Sequence, residues 1–171
     1  MTGALMSGCS QNHPTDDVSA GIYELTVAAD ADACSPTRAV GSMGPVGVVV
    51  RGTAIDAPVP DVASPTLLTA PRVILNADSF HAETNRRIPG CADAFVHEEW
   101  TLLESTGAGF ELLHTQLWTG MSGCDVAADV MPGAPAADCQ SERRLRYDLM
   151  EVCAEPCRLF LDASGSVSCS C

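Results

Sequence analysis

The side chains able to do chemistry concentrate between Phe95 and Trp118, where His97, Glu98, Glu99, His114 and Gln116 sit in two apolar-rich arms. The intervening Ser105-Thr106-Gly107-Ala108-Gly109 has the composition of a hairpin turn, so the arms should pair as antiparallel strands. Register then decides what the polar residues can do, because a one-residue slip gives every side chain a new partner. Pairing Glu104 with Gly109 sets Glu99 against His114 and His97 against Gln116, with Trp118 alongside. Two imidazoles and a carboxylate on neighbouring strands suit a transition metal or the orientation of a ligand. Pairing one residue further on sets His114 against Trp100 and disperses the cluster, leaving a half-buried sheet with polar residues toward solvent. The chain has no GxSxG elbow, HExxH helix, phosphate-cradling glycine loop or dinucleotide fingerprint, so neither catalysis nor a cofactor is expected.

The nine cysteines form the second group. Met6-Ser7-Gly8-Cys9 resembles the lipobox of bacterial lipoproteins, in which the cysteine is lipidated and becomes the mature N-terminus. Only Met1 to Gly8 precede Cys9, less than the basic and apolar regions of a complete signal, so residues 1–20 are read as signal remnant, lipobox and flexible tether. The resemblance implies an extracytoplasmic protein, at the outer membrane or cell surface, held to the membrane by its lipid alone. Setting Cys9 aside leaves eight cysteines, an even number that can close as four disulfides in an oxidising compartment. The expected pairs are Cys157 with Cys171, Cys124 with Cys139, Cys34 with Cys91, and Cys153 with Cys169. Cys153 and Cys157 are separated by three residues rather than the two of a redox motif, and the Cys169–Cys171 pair lacks a partner at zinc-ribbon spacing.

Composition excludes other classes. The formal charge of −13 comes from 22 acidic residues against nine basic ones, all arginine. A field of that sign repels phosphate backbones and anionic headgroups, so nucleic acid is not an expected partner. With 46% hydrophobic residues in 171, the chain can bury a core, and it has no apolar run long enough to span a bilayer as a helix.

The elements that must position these residues are strands. Tyr23, Leu25 and Val27 alternate with Glu24 and Thr26 in a first strand opening at Gly21, and Val46 to Ile55 reads as a second. A third lies within Thr66–Asn76, with Pro71 placing it at an edge or bulge. Asp78 to Cys91 holds either a short strand or a long loop. Arg143 to Cys153 alternates Leu145, Tyr147 and Leu149 against Arg144, Arg146 and Asp148. Cys157 to Cys171 reads as a hairpin around Ala163-Ser164-Gly165, which sets Leu161 opposite Val167 and Leu159 opposite Cys169. About eight strands in mostly hairpin order, without a convincing helix, make residues 21–171 a single all-β domain: an antiparallel barrel or sandwich stapled by disulfides.

Gly21-Ile22-Tyr23-Glu24-Leu25-Thr26 is similar to the Gly-x-Trp start of lipocalin-like, or calycin, domains, with Tyr at the Trp position. That resemblance implies an up-and-down barrel whose mouth binds a small apolar ligand. The expected function is therefore a non-catalytic, lipid-anchored β-domain of the bacterial envelope with a binding or structural role and an envelope protein as possible partner. A lipocalin-like carrier of a small apolar ligand is the first alternative. A metal-binding protein using His97, Glu99 and His114 is the second.

Overall fold

Strand β1 (Gly21–Asp32) buries Tyr23, Leu25 and Val27 on one side, as the alternation requires, and it anchors the sheet through neighbours on both edges. The computed structural model describes residues 17–34, 40–59, 72–76, 81–124, 126, 131, 133–154, 158–162 and 166–170. The expected second strand is a hairpin instead. β2 (Gly41–Arg51) turns at Gly52-Thr53 into β3 (Ala54–Pro58), because Gly52 adopts φ +61°, a left-handed value that reverses the chain. β4 (Arg72–Asn76) follows, and Pro71 lies outside the described residues. The segment expected to be strand or loop is strand: β5 (His81–Arg87).

β6 (Phe95–Thr106) and β7 (Gly109–Thr119) form the expected central hairpin around Gly107-Ala108, and β8 (Cys139–Val152) lies beside β7. The eight strands form one antiparallel sheet in the order β4-β3-β2-β1-β8-β7-β6-β5. Two four-strand meanders are thus joined where β1 pairs β8, and β4 and β5 face each other across the remaining gap. The result is a nearly closed antiparallel barrel rather than a sandwich, a connectivity compatible with the calycin-like resemblance. Val18, read above as tether, is already in the core, and the Tyr23 hydroxyl donates to the Ser19 carbonyl at 2.7 Å.

β9 (Arg158–Leu161) and β10 (Val167–Ser170) make a separate hairpin with the expected register, Leu161 opposite Val167 and Leu159 opposite Cys169. It packs on the outside of β2 at Gly47. A Cβ there would stand 3.1 Å from Leu159 Cδ2 and 3.2 Å from Val167 Cγ1, so a bare backbone lets the hairpin approach.

Among the described residues three disulfides are formed: Cys34–Cys139, Cys91–Cys124 and Cys153–Cys169. Only the last was among the expected pairs. Cys124–Cys139 and Cys34–Cys91 are corrected, because pairing of β1 with β8 carries Cys34 to the start of β8. Ala33 N donates to Gln140 O at 3.0 Å, which leaves Cys139 beside Cys34 across 105 residues of sequence. Cys91 and Cys124 then meet at the same end of the barrel, after β5 and β7. Cys157 and Cys171 lie outside the described residues, as does Cys9. Three intramolecular bridges point to an oxidising, extracytoplasmic environment.

The barrel interior has three layers. One end is an apolar cluster that includes Leu25, Val48, Ile55, Leu102, Leu112, Leu145 and a stack of Phe110 on Tyr147 with centroids 4.4 Å apart. At the other end Ile88, Val96, Trp118 and Met121 pack beneath the Cys34–Cys139 and Cys91–Cys124 bridges. Between them lies a polar layer.

Candidate functional site

The polar layer follows from the phase of three strands. Val96, Trp100 and Leu102 must face inward to build the core, and Glu98 shares their phase on β6. Phe110, Leu112 and Trp118 likewise carry His114 and Gln116 inward on β7. On β8, Leu145 and Tyr147 bring Ser141 and Arg143 inward. All five polar residues are buried, His114 completely and Glu98 to 5% exposure.

Register decides their contacts. β6 and β7 pair Trp100 with His114, Glu98 with Gln116 and His97 with Leu117. This is the slipped alternative, and it divides the patch of His97, Glu99, His114, Gln116 and Trp118. His97 and Glu99 lie on the outer face, 3.4 Å apart at Nε2 and Oε1. His114, Gln116 and Trp118 lie inside, with Trp118 in the apolar layer below the polar one. The reason lies in the turn and a bulge: Gly107 and Ala108 alone connect Thr106 to Gly109, two residues away from the Glu104–Gly109 pairing, and the bulge at Leu103 takes one residue back, leaving a net slip of one.

Inside, the network is ordered around one carboxylate. Glu98 Oε1 accepts from Gln116 Nε2 at 2.7 Å and lies 3.1 Å from His114 Nε2. Arg143 Nη2 is 2.9 Å from His114 Nδ1. A guanidinium has no acceptor, so Nδ1 receives that bond and the ring proton sits on Nε2, directed at Glu98. His114 is thereby a neutral imidazole held between a cation and an anion, and Trp100 stacks on it at 4.9 Å and 12°. Ser141 Oγ, 3.4 Å from Gln116 Oε1, completes the row. Burial is the largest influence on the Glu98 carboxyl and raises its pKa. The hydrogen bonds from His114 and Gln116 and the positive charge nearby more than offset it, so Glu98 titrates below its ordinary range and is ionised at neutral pH.

This layer opens to the outside at the β4/β5 gap. A cavity of about 390 Å³ lies there, lined by Arg72, Val73, Ala82, Arg86, Glu98 and Trp100 among others. Arg72 is engaged by Asp56 Oδ1 at 2.5 Å and by two carbonyls, so it fixes the rim. Arg86 Nη2 lies 3.8 Å from Glu98 Oε2, an ion pair longer than a hydrogen bond. Among the described residues, the buried Trp100 indole Nε1–H has no acceptor within hydrogen-bonding reach. The cavity therefore has an apolar and aromatic wall with the ionised Glu98 carboxylate at its floor, and Glu83, Arg72 and Arg86 also line it.

Trp100, Arg86 and Arg143 carry no role in the sequence reading, and Glu98 is named there within the hairpin cluster but outside the candidate patch. For Glu98, Trp100 and Arg143 the strand phase was the available signal, since each recurs two residues from an apolar position. No family model, curated protein or solved structure matches this chain.

Proposed function

We propose that this chain is a non-catalytic binding domain of the bacterial envelope, lipid-anchored through Cys9, that holds a small ligand at the gap between β4 and β5. The supporting observation is the 390 Å³ cavity, whose volume lies in the range of small-molecule sites and whose wall is Trp100, Val73 and Ala82. Glu98 at its floor favours a ligand with an apolar body and one hydrogen-bond-donating end. A binding role fits better than catalysis because both ring nitrogens of His114 are engaged and the ring is fully buried. The anchor is supported by cysteine parity, three described bridges using six of nine cysteines, and by the eight residues between Cys9 and Val18, the first core residue among those described.

Titration with dansylated fatty amines and fatty acids tests the cavity. Saturable binding at one probe per chain is expected, tighter for the amine, and lost in Ala82→Trp, which fills the gap. Absence of saturable binding by either probe overturns the reading. Mass spectrometry of membrane-extracted native protein tests the anchor, and an unmodified Cys9 removes it.

A further inference from the structure

A second group of ligating side chains lies on the outer face of the barrel, on β5 at the edge of the gap and on its neighbour β6. β5 and β6 pair with Glu83 directly opposite Glu99. Like charges facing each other across a ladder are destabilising. Neither flanking position supplies Lys or Arg on this face; His81 stands two residues from Glu83 and His97 two residues from Glu99.

One ligand atom from each of His81, Glu83 and Glu99 lies within 4.8 Å of the others. His81 Nε2 is 3.9 Å from Glu83 Oε2, and its Nδ1 is 3.3 Å from the Thr101 hydroxyl. With Nδ1 beside the Thr101 hydroxyl, Nε2 is the ring nitrogen turned toward the carboxylates. A ring held through its second nitrogen is the usual arrangement of a metal-bound histidine. His97 Nε2, 3.4 Å from Glu99 Oε1, holds the second carboxylate from the other side.

We propose that His81, Glu83 and Glu99 form a surface site for a divalent transition-metal ion of the zinc type, with His97 positioning Glu99. One imidazole and two carboxylates match zinc, leaving a fourth position to solvent. Donor atoms of a tetrahedral zinc site stand about 3.4 Å apart, so a contraction of about an ångström by partly exposed side chains completes it. Calcium asks for six or more oxygens and gains nothing from the imidazole. The bound cation would also relieve the Glu83–Glu99 repulsion. Glu83 also lines the cavity at the gap, but the site uses none of the inward-facing groups and needs no ligand in that cavity.

Isothermal titration of the chelator-treated full chain with zinc chloride provides the test. One zinc per chain with a micromolar Kd is expected, undisturbed by an equal concentration of calcium. His81→Ala and Glu99→Gln should each weaken binding at least tenfold. Both positions are partly exposed, and Glu99→Gln is isosteric, so the fold is retained. Copper(II) in the same site should show one imidazole nitrogen in its electron paramagnetic resonance spectrum. That signature should survive His97→Ala with weakened affinity and disappear in His81→Ala. Absence of saturable zinc binding, binding indifferent to His81→Ala and Glu99→Gln, or displacement by equimolar calcium would each overturn the proposal.

Discussion

Trp100 lies directly opposite His114 across the central hairpin, the rings stacked 4.9 Å apart and 12° from parallel. That pairing fixes the phase of both strands. It turns Glu98, His114 and Gln116 into the barrel and leaves His97 and Glu99 outside.

The inner network should be costly to interrupt. His114→Phe keeps the ring on Trp100 but removes both hydrogen bonds, leaving Arg143 without that acceptor and Glu98 with one donor fewer. A loss of about 3 kcal/mol in urea unfolding is expected, since an unmatched buried charge keeps its desolvation cost. An effect below about 1 kcal/mol would mean that water replaces the ring's bonds.

Tyr147 and Tyr23 set the alkaline limit. Burial pushes the pKa of each upward: for Tyr147 the Arg72 charge opposes it, and for Tyr23 the hydrogen bond to Ser19 does. A folded pKa above the unfolded value of about 10 gives stability that is complete below pH 10 and declines as pH rises past it, because only the unfolded chain loses the proton. Stability curves should therefore fall above about pH 10, with phenolate absorbance of these two residues appearing only on unfolding. Tyr147→Phe, which forfeits a 2.8 Å hydrogen bond to the Pro58 carbonyl, should be less stable at neutral pH and show a shallower alkaline decline.

Two glycines of the central turn should behave differently. Gly109 has φ +152°, and a Cβ there would lie 2.1 Å from the Tyr147 carbonyl oxygen. Gly109→Ala should cost on the order of 3 kcal/mol by forcing β7 from β8. Nothing lies within 4 Å of a Cβ at Gly107, and Gly107→Ala should change stability by less than about 0.5 kcal/mol. Thermal melts of the two variants separate these outcomes.

The bridges should rank by the chain they close. Cys34–Cys139 spans 105 residues and Cys153–Cys169 spans 16. Paired alanine substitutions should cost about 4.7 and about 3 kcal/mol respectively if restriction of the unfolded chain dominates. Peptide mapping without reduction should recover 34 with 139 and 91 with 124.

Much of the architecture was legible because alternation is a local property. Tyr23, Leu25 and Val27 announced an inward face, and the arms around Gly107 announced a hairpin. In the last hairpin the pairing of Leu159 with Cys169 could be counted from its loop. An all-β domain of about eight strands followed from these segments alone.

What local pattern could not supply was partnership over distance. β1 joins β8 through backbone bonds between segments over a hundred residues apart, and that single pairing decides where Cys34 finds its bridge. The site depended on a net register slip of one residue, two at the turn less one at the Leu103 bulge, a difference that side-chain types around Leu103 to Gly109 do not encode. The residue types determined that histidine and glutamate would share a sheet. Only closure of the barrel decided that Glu98 and His114 face a packed interior, where burial demands partners, while Glu83 and Glu99 meet at its surface.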